Sequence, residues 1–148
     1  MEEKSHKLNI NPDTQDVYGF LILSSKNALI GIFSKEKKEI NFKYNFDIPK
    51  PHTKGGASAN RFRRIREERI FKIFKSIEEN LEKIFIKDNL LNISGLVIAG
   101  AFELIKKYLS FIKKFNEQLN GYIFTLIETD SNGELGFNEA IELFMLNN

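Results

Sequence analysis

The sequence has no cysteine, only three prolines, and no uninterrupted apolar stretch longer than a few residues, such as Tyr18 to Leu23. Without cysteine there is no disulfide framework, thiol nucleophile or thiolate metal site, which suits an intracellular, cytoplasmic setting. Runs this short fall far below the ~20 residues that span a bilayer. The first sixteen residues are polar, carry both charge signs and have no apolar signal core, so 1–16 reads as a flexible leader. What remains, in a chain of 148 residues that is 42% hydrophobic and 28% charged, is the composition of one globular unit with a single core.

Net charge is small on average, and the positive charge is concentrated in one place. The formal net charge is +2, yet Lys50 to Lys75 holds nine lysines and arginines against Glu67 and Glu68, a local +7 that leaves 2 − 7 = −5 for the rest. Such segregation points to a surface that meets polyanions, nucleic acid first. The alternative is a solvated helix face laced with i,i+4 pairs such as Glu68 with Lys72 and Glu79 with Lys83. Arg61, Arg63, Arg64 and Arg66 fall in the first turns of the helix they belong to. Cations there oppose the helix dipole and cost roughly 0.3–1 kcal/mol each, so stability alone would favour acids.

Three short segments rich in β-branched and aromatic residues, Val17 to Leu23, Ala28 to Phe33 and Glu39 to Phe46, predict an antiparallel meander. In the third, Ile40, Phe42, Tyr44 and Phe46 alternate with polar residues, the period of a strand with one buried face. Asp47 to Ala57, with Pro49, Pro51, Gly55 and Gly56, predicts a long exposed loop. From Ser58, the recurrence of Phe62, Ile65, Ile73, Ile77, Leu81 and Ile84 predicts a helix of about 28 residues capped by Ser58 or Asn60. On it Arg61, Arg64, Lys72 and Lys75 share one arc opposite the apolar stripe. Gly95 to Ala99 reads as a buried parallel strand, Phe102 to Phe115 as a helix, Tyr122 to Ile127 as a strand and Phe137 to Leu146 as a helix. The expected fold is α/β, a mixed sheet of about five strands covered by helices in the order β-β-β-α-β-α-β-α, with one long helix following a Gly-Gly loop.

Two segments carry possible chemistry. Glu128 to Glu139 fits a calcium-loop template at Asp130, Asn132, Gly133, Leu135 and Glu139. It starts on Glu instead of Asp and follows a strand, so a strand-to-helix turn is the competing reading. Pro49 to Arg66 is the other. Adjacent glycines allow positive φ and close approach of the backbone, so the N–H groups of Gly56 and Ala57 become available as donors at a reacting centre. By itself the pair fits a flexible turn or a phosphate-gripping loop, and His52 adds nothing specific.

The Tyr-Gly-Phe strand at 18 to 20, Pro-Lys-Pro-His before Gly55-Gly56, Ser-Ala-x-Arg-Phe-x-Arg-x-Arg at Ser58 to Arg66, Gly-Leu-Val-Ile-Ala-Gly at 95 to 100 and Gly-Phe-Asn-Glu-Ala-Ile-Glu-Leu at 136 to 143 form a set. Together they make 17–148 resemble the middle domain of the eukaryotic and archaeal class 1 peptide chain release factor. The resemblance implies a domain of translation termination whose loop tip enters the peptidyl transferase centre of the large ribosomal subunit and promotes hydrolysis of peptidyl-tRNA. It implies Gly55, Gly56 and Ala57 at the reacting centre and Lys54, Arg61, Arg63, Arg64 and Arg66 on RNA. It also implies rRNA and peptidyl-tRNA as partners, a class 2 release factor GTPase for the whole protein, and no metal or cofactor; the excised domain itself is expected to be a monomer.

One residue departs from the family: its loop reads Gly-Gly-Gln, and here the third position is Ala57. The backbone donor survives this change, but a methyl group has no amide to position water, so the expectation is delivery with weakened or absent hydrolysis. Two origins stay open, a deliberate inactivating substitution and a natural non-hydrolytic RNA-binding relative. A calcium-binding module through Glu128 to Glu139 remains the more distant alternative. The related factor that rescues stalled ribosomes shares the architecture but lacks the Gly-Gly loop.

Overall fold

The structure is a computed structural model that describes residues 8–50 and 56–147, without the side chain of Ala57. The meander forms as expected, with β2 at Tyr18–Leu23, β3 at Asn27–Phe33 and β4 at Lys38–Asn45 joined antiparallel. Strand β7, Gly95–Gly100, lies parallel to β2, and β8, Ile123–Glu128, lies parallel to β7, giving one mixed sheet in the order β4-β3-β2-β7-β8. The fully buried run of β7 follows from this central position, since both of its faces are covered.

Helix α1 runs from Ala57 to Phe85, α2 from Phe102 to Phe115, α3 from Glu117 to Asn120 and α4 from Gly133 to Asn147. Alternation along the strands sorts two cores. Leu21, Leu23, Ile30 and Ile98 face α1 and α2 through Ile73, Ile77, Leu81, Ile105 and Ile112. Phe20, Ile22, Leu29 and Val97 face α4 through Phe137, Ala140 and Ile141. The result is a three-layer α/β/α arrangement.

Four expectations need correction. A register shift between Ile30 and Gly31 breaks the single face of β4, so Phe42 and Tyr44 pack towards α1 while Ile40 joins the α4 core. The last helix starts four residues early, because Asn132-Gly133 opens it and does not merely precede it. The leader is partly built: β1, Asn9–Ile10, pairs parallel with β6, Leu90–Leu91, and the Tyr122 hydroxyl donates to the Leu8 carbonyl. Strand β6 belongs to a small hairpin with β5, Ile86–Lys87, whose turn residues Asp88 and Asn89 take positive φ of 53° and 61°. That is the left-handed pair a two-residue hairpin demands, and an Asp-Asn dipeptide supplies it at low cost. Finally, the span expected to be an exposed loop holds Ile48, which is 5% exposed in the main core.

Candidate nucleic-acid interface

Gly56 begins the site. It is the N-cap of α1, exposed, with φ 109° and ψ −179°, a backbone conformation reserved for glycine. A Cβ built there meets nothing within 4 Å, so the need for glycine is conformational and not spatial. The Gly56 carbonyl accepts from the Asn60 amide at 3.2 Å and closes the first turn. No side-chain hydrogen bond caps this end, and no acid lies in the first turn. Neither Ser58 nor Asn60 therefore caps α1. Asn60 Oδ1 instead accepts from Arg63 at 2.8 Å. The first N–H groups of a helix have no intrahelical partner, so this end presents a positive pole.

Beyond it α1 stands away from the core. Ala59 of the first turn is buried, but from Asn60 to Arg69 no residue is, and burial resumes at Ile70. The expected apolar stripe is thus split. Ile73, Ile77 and Leu81 enter the core, whereas Phe62 and Ile65 are 59% and 54% exposed and border a small gap with Pro49, Lys50, Arg66 and Arg69.

The expected cationic track is present. Arg61, Arg64, Lys72 and Lys75 are all exposed, and none of them forms an ion pair among the described residues. The competing pairs Glu68 with Lys72 and Glu79 with Lys83 are likewise not formed. Arg66 differs from its neighbours. Its side chain is only 19% exposed, its Nε donates to the Pro49 carbonyl at 2.7 Å, and its Nη1 sits 3.6 Å from Glu67, which Lys107 of α2 also holds at 3.1 Å. Arg69, which sequence reasoning left among undifferentiated charge, donates to the Asp47 carbonyl at 3.2 Å. Its spacing of three from Arg66 was the available signal, since i and i+3 share a helix face. Lys54 and Gly55 lie outside the described residues.

The calcium template resolves into a helix cap. The Glu139 carboxylate accepts from the Asp130 and Ser131 amides at 3.0–3.1 Å, and Glu128 ends β8. Glu139 thus turns back onto the amides that precede its own helix. Among the described residues no three histidines or acids gather to hold a metal ion. No helix of the described residues is long and apolar enough to cross a membrane.

The most perturbed carboxyl lies elsewhere, between α1 and α2. Burial, and the neighbouring Glu82, push Glu78 above the usual carboxylate range, against the hydrogen bond from Asn116. Asn116 Nδ2 bridges both acids, at 3.2 Å to Glu78 and 2.7 Å to Glu82. Tyr108 is fully buried, and burial and Glu78 raise its phenol.

These features fit a known architecture. The fold is that of an archaeal translation termination factor, aRF1, with a TM-score of 0.67 at 17% identity over 85% of this chain and 33% of that one. It is shared by the Pelota protein of Archaeoglobus fulgidus, with a TM-score of 0.59 at 16% identity over 88% of this chain and 32% of the other. Within that class, the family model for eRF1 domain 2 matches residues 17–147, and the chain belongs to this family. It is 36% identical over 129 residues to eukaryotic peptide chain release factor subunit 1 of Loxodes striatus, and 33% identical over 131 residues to that of Cryptosporidium hominis. The match takes in 87–88% of this chain but only 29–30% of those relatives.

Proposed function

We propose that this chain acts in translation termination, as the domain that enters the peptidyl transferase centre of the large ribosomal subunit and promotes hydrolysis of peptidyl-tRNA. The observation that carries the reading is Gly56, a glycine-only N-cap placed in solvent at the tip of a helix whose first turns carry the exposed Arg61, Arg63 and Arg64. Membership of the eRF1 domain 2 family supports this reading, in which backbone donors at the tip meet the ester. Developing negative charge on the ester oxygen is met by main-chain N–H groups at positions 56 and 57, next to the positive pole of α1. Arg61, Arg63 and Arg64, with Lys54, bind phosphates of rRNA and tRNA and fix the tip relative to the ester; bidentate guanidinium geometry suits that task.

Ala57 keeps the backbone donor and lacks the family's side-chain amide, so the domain docks and hydrolyses poorly. In the whole protein a class 2 release factor GTPase accompanies it, and cytoplasmic ribosomes are the site of action. The test places this domain, with and without Ala57→Gln, in a full-length release factor and measures peptide release from ribosomes programmed with a stop codon. Glutamine is expected to raise the rate about 10²–10³-fold, the usual worth of one contact to the reacting centre. Equal rates with alanine and glutamine would overturn the mechanism and leave a non-hydrolytic ribosome-binding domain.

A further inference from the structure

We infer that Arg66 and Arg69 are positioning residues, a two-guanidinium latch that fixes the incoming limb of the diglycine loop against α1, and that Arg66 is not a contact to RNA. The inference rests on the functional reading above only for its effect on release; the latch itself is a matter of structure.

The limb needs such a latch because of its own sequence. Pro49 has no N–H to donate, so regular strand pairing cannot continue past Ile48. The carbonyls of the limb must find donors outside the sheet. The chain leaves β4 under control: the Phe46 amide donates to the Lys26 carbonyl and the Ile48 amide to the Ser25 carbonyl, each at 3.0 Å, and the Ile48 side chain enters the core. Between and beyond these anchors the next two carbonyls, Asp47 and Pro49, are taken by Arg69 and Arg66, residues on one face of the helix that the loop precedes. Four consecutive residues, 46 to 49, are therefore held from two sides, and the tether between the last anchor and the Gly56 cap is only six residues, 50–55. Glu67 extends the latch to α2, because its carboxylate lies beside both Arg66 and Lys107.

Burial separates this role from the one that sequence assigned to Arg66. A phosphate ligand needs its guanidinium edge in solvent, and Arg66 is 19% exposed with Nε already donated, whereas Arg61 and Arg64 point outward with no partner among the described residues. Arg66 at the end of the motif and Arg69 three residues beyond it thus set the geometry of the loop that delivers the chemistry, while Arg61, Arg63 and Arg64 are left to RNA.

Arg66→Gln and Arg69→Gln, compared with Arg64→Gln, test this in three measurements. In the isolated chain, hydrogen exchange at the Ile48 amide is expected to accelerate about 5- to 10-fold in either latch variant, as one charge-assisted bond to the limb is lost, and to stay unchanged in Arg64→Gln. Affinity for an acceptor-stem RNA hairpin with a single-stranded 3′ end is measured against salt. The slope of log K on log salt is expected to fall by about 0.7–0.9 for Arg64→Gln and to keep its wild-type value for Arg66→Gln. In a full-length release factor carrying Ala57→Gln, the latch variants are expected to lower kcat about 10- to 100-fold with KM unchanged. Unchanged Ile48 exchange, or a reduced salt slope in Arg66→Gln, overturns the latch. An inactive Ala57→Gln parent overturns the functional reading instead, and the exchange measurement then decides the latch by itself. Should Arg66→Gln unfold, Arg69→Gln carries the same comparison.

Discussion

Replacing Gly56 by alanine offers the molecule two responses, and their relative cost decides the outcome. If the backbone keeps φ 109° and ψ −179°, a side chain sits where essentially only glycine is found, at a cost of order 1–3 kcal/mol. If the first turn of α1 unwinds instead, the chain loses the Asn60 to Gly56 hydrogen bond, worth about 0.5–1.5 kcal/mol, and exposes the methyl of Ala59, about 0.8 kcal/mol. The cheaper route caps the loss at about 2 kcal/mol, or a fall of roughly 3–9 °C in Tm for a domain of this size. Gly100 is the contrast, with φ 142° and a built Cβ only 2.0 Å from the Leu23 carbonyl oxygen of the paired strand β2. There the obstacle is backbone of a neighbouring strand, added to the positive φ, and Gly100→Ala is expected to cost more than about 3 kcal/mol. Urea denaturation of both variants, with amide exchange at Asn60, distinguishes the routes: faster Asn60 exchange marks unwinding, unchanged exchange marks strain. A Gly56→Ala protein as stable as wild type, or as damaged as Gly100→Ala, would refute the reasoning.

Three further outcomes are expected. Glu78 has a raised carboxyl in the folded state, so the native protein binds a proton the unfolded chain releases, and stability declines as pH rises from the ordinary glutamate range through the raised one. Glu78→Gln, which keeps an acceptor for Asn116, should therefore raise Tm at pH 7.5 and lose that advantage near pH 4, as followed by thermal melts across pH. Glu139→Ala removes the acceptor for two amides and is expected to destabilise the domain by about 1–2 kcal/mol in urea titrations. Adding millimolar calcium should leave the wild-type Tm unchanged, and a clear rise would revive the calcium loop.

The main sheet and its long helices were legible because their patterns are uninterrupted: the blank apolar run of β7 and the period of Ile73, Ile77 and Leu81 each admit one reading, and the alternation of β4 marked a strand although not its bulge. The misses share a physical cause. The bulge opposite Ile30, the hairpin at Asp88-Asn89 and the capping by Glu139 depend on a partner remote in sequence or on a two-residue conformation, and neither leaves a periodic trace. At the candidate site, the exposed track of Arg61, Arg64, Lys72 and Lys75 could be read from helical geometry. The commitment of Arg66 could not, because its acceptor is a backbone carbonyl seventeen residues away, and carbonyls have no letter in the sequence.

The ten residues of α1 from Asn60 to Arg69 bury none of their number and are tied to the body by polar contacts, Arg66 and Arg69 to the limb and Glu67 to Lys107, before Ile70 enters the core. A stretch of that kind separates two kinds of change. Changes to the outward charges, Arg61 and Arg64, leave folding nearly untouched, whereas changes at Ile70, Ile73 or Ile77 strike the core. The outward charge of this stretch can therefore vary without reopening the question of whether the chain folds.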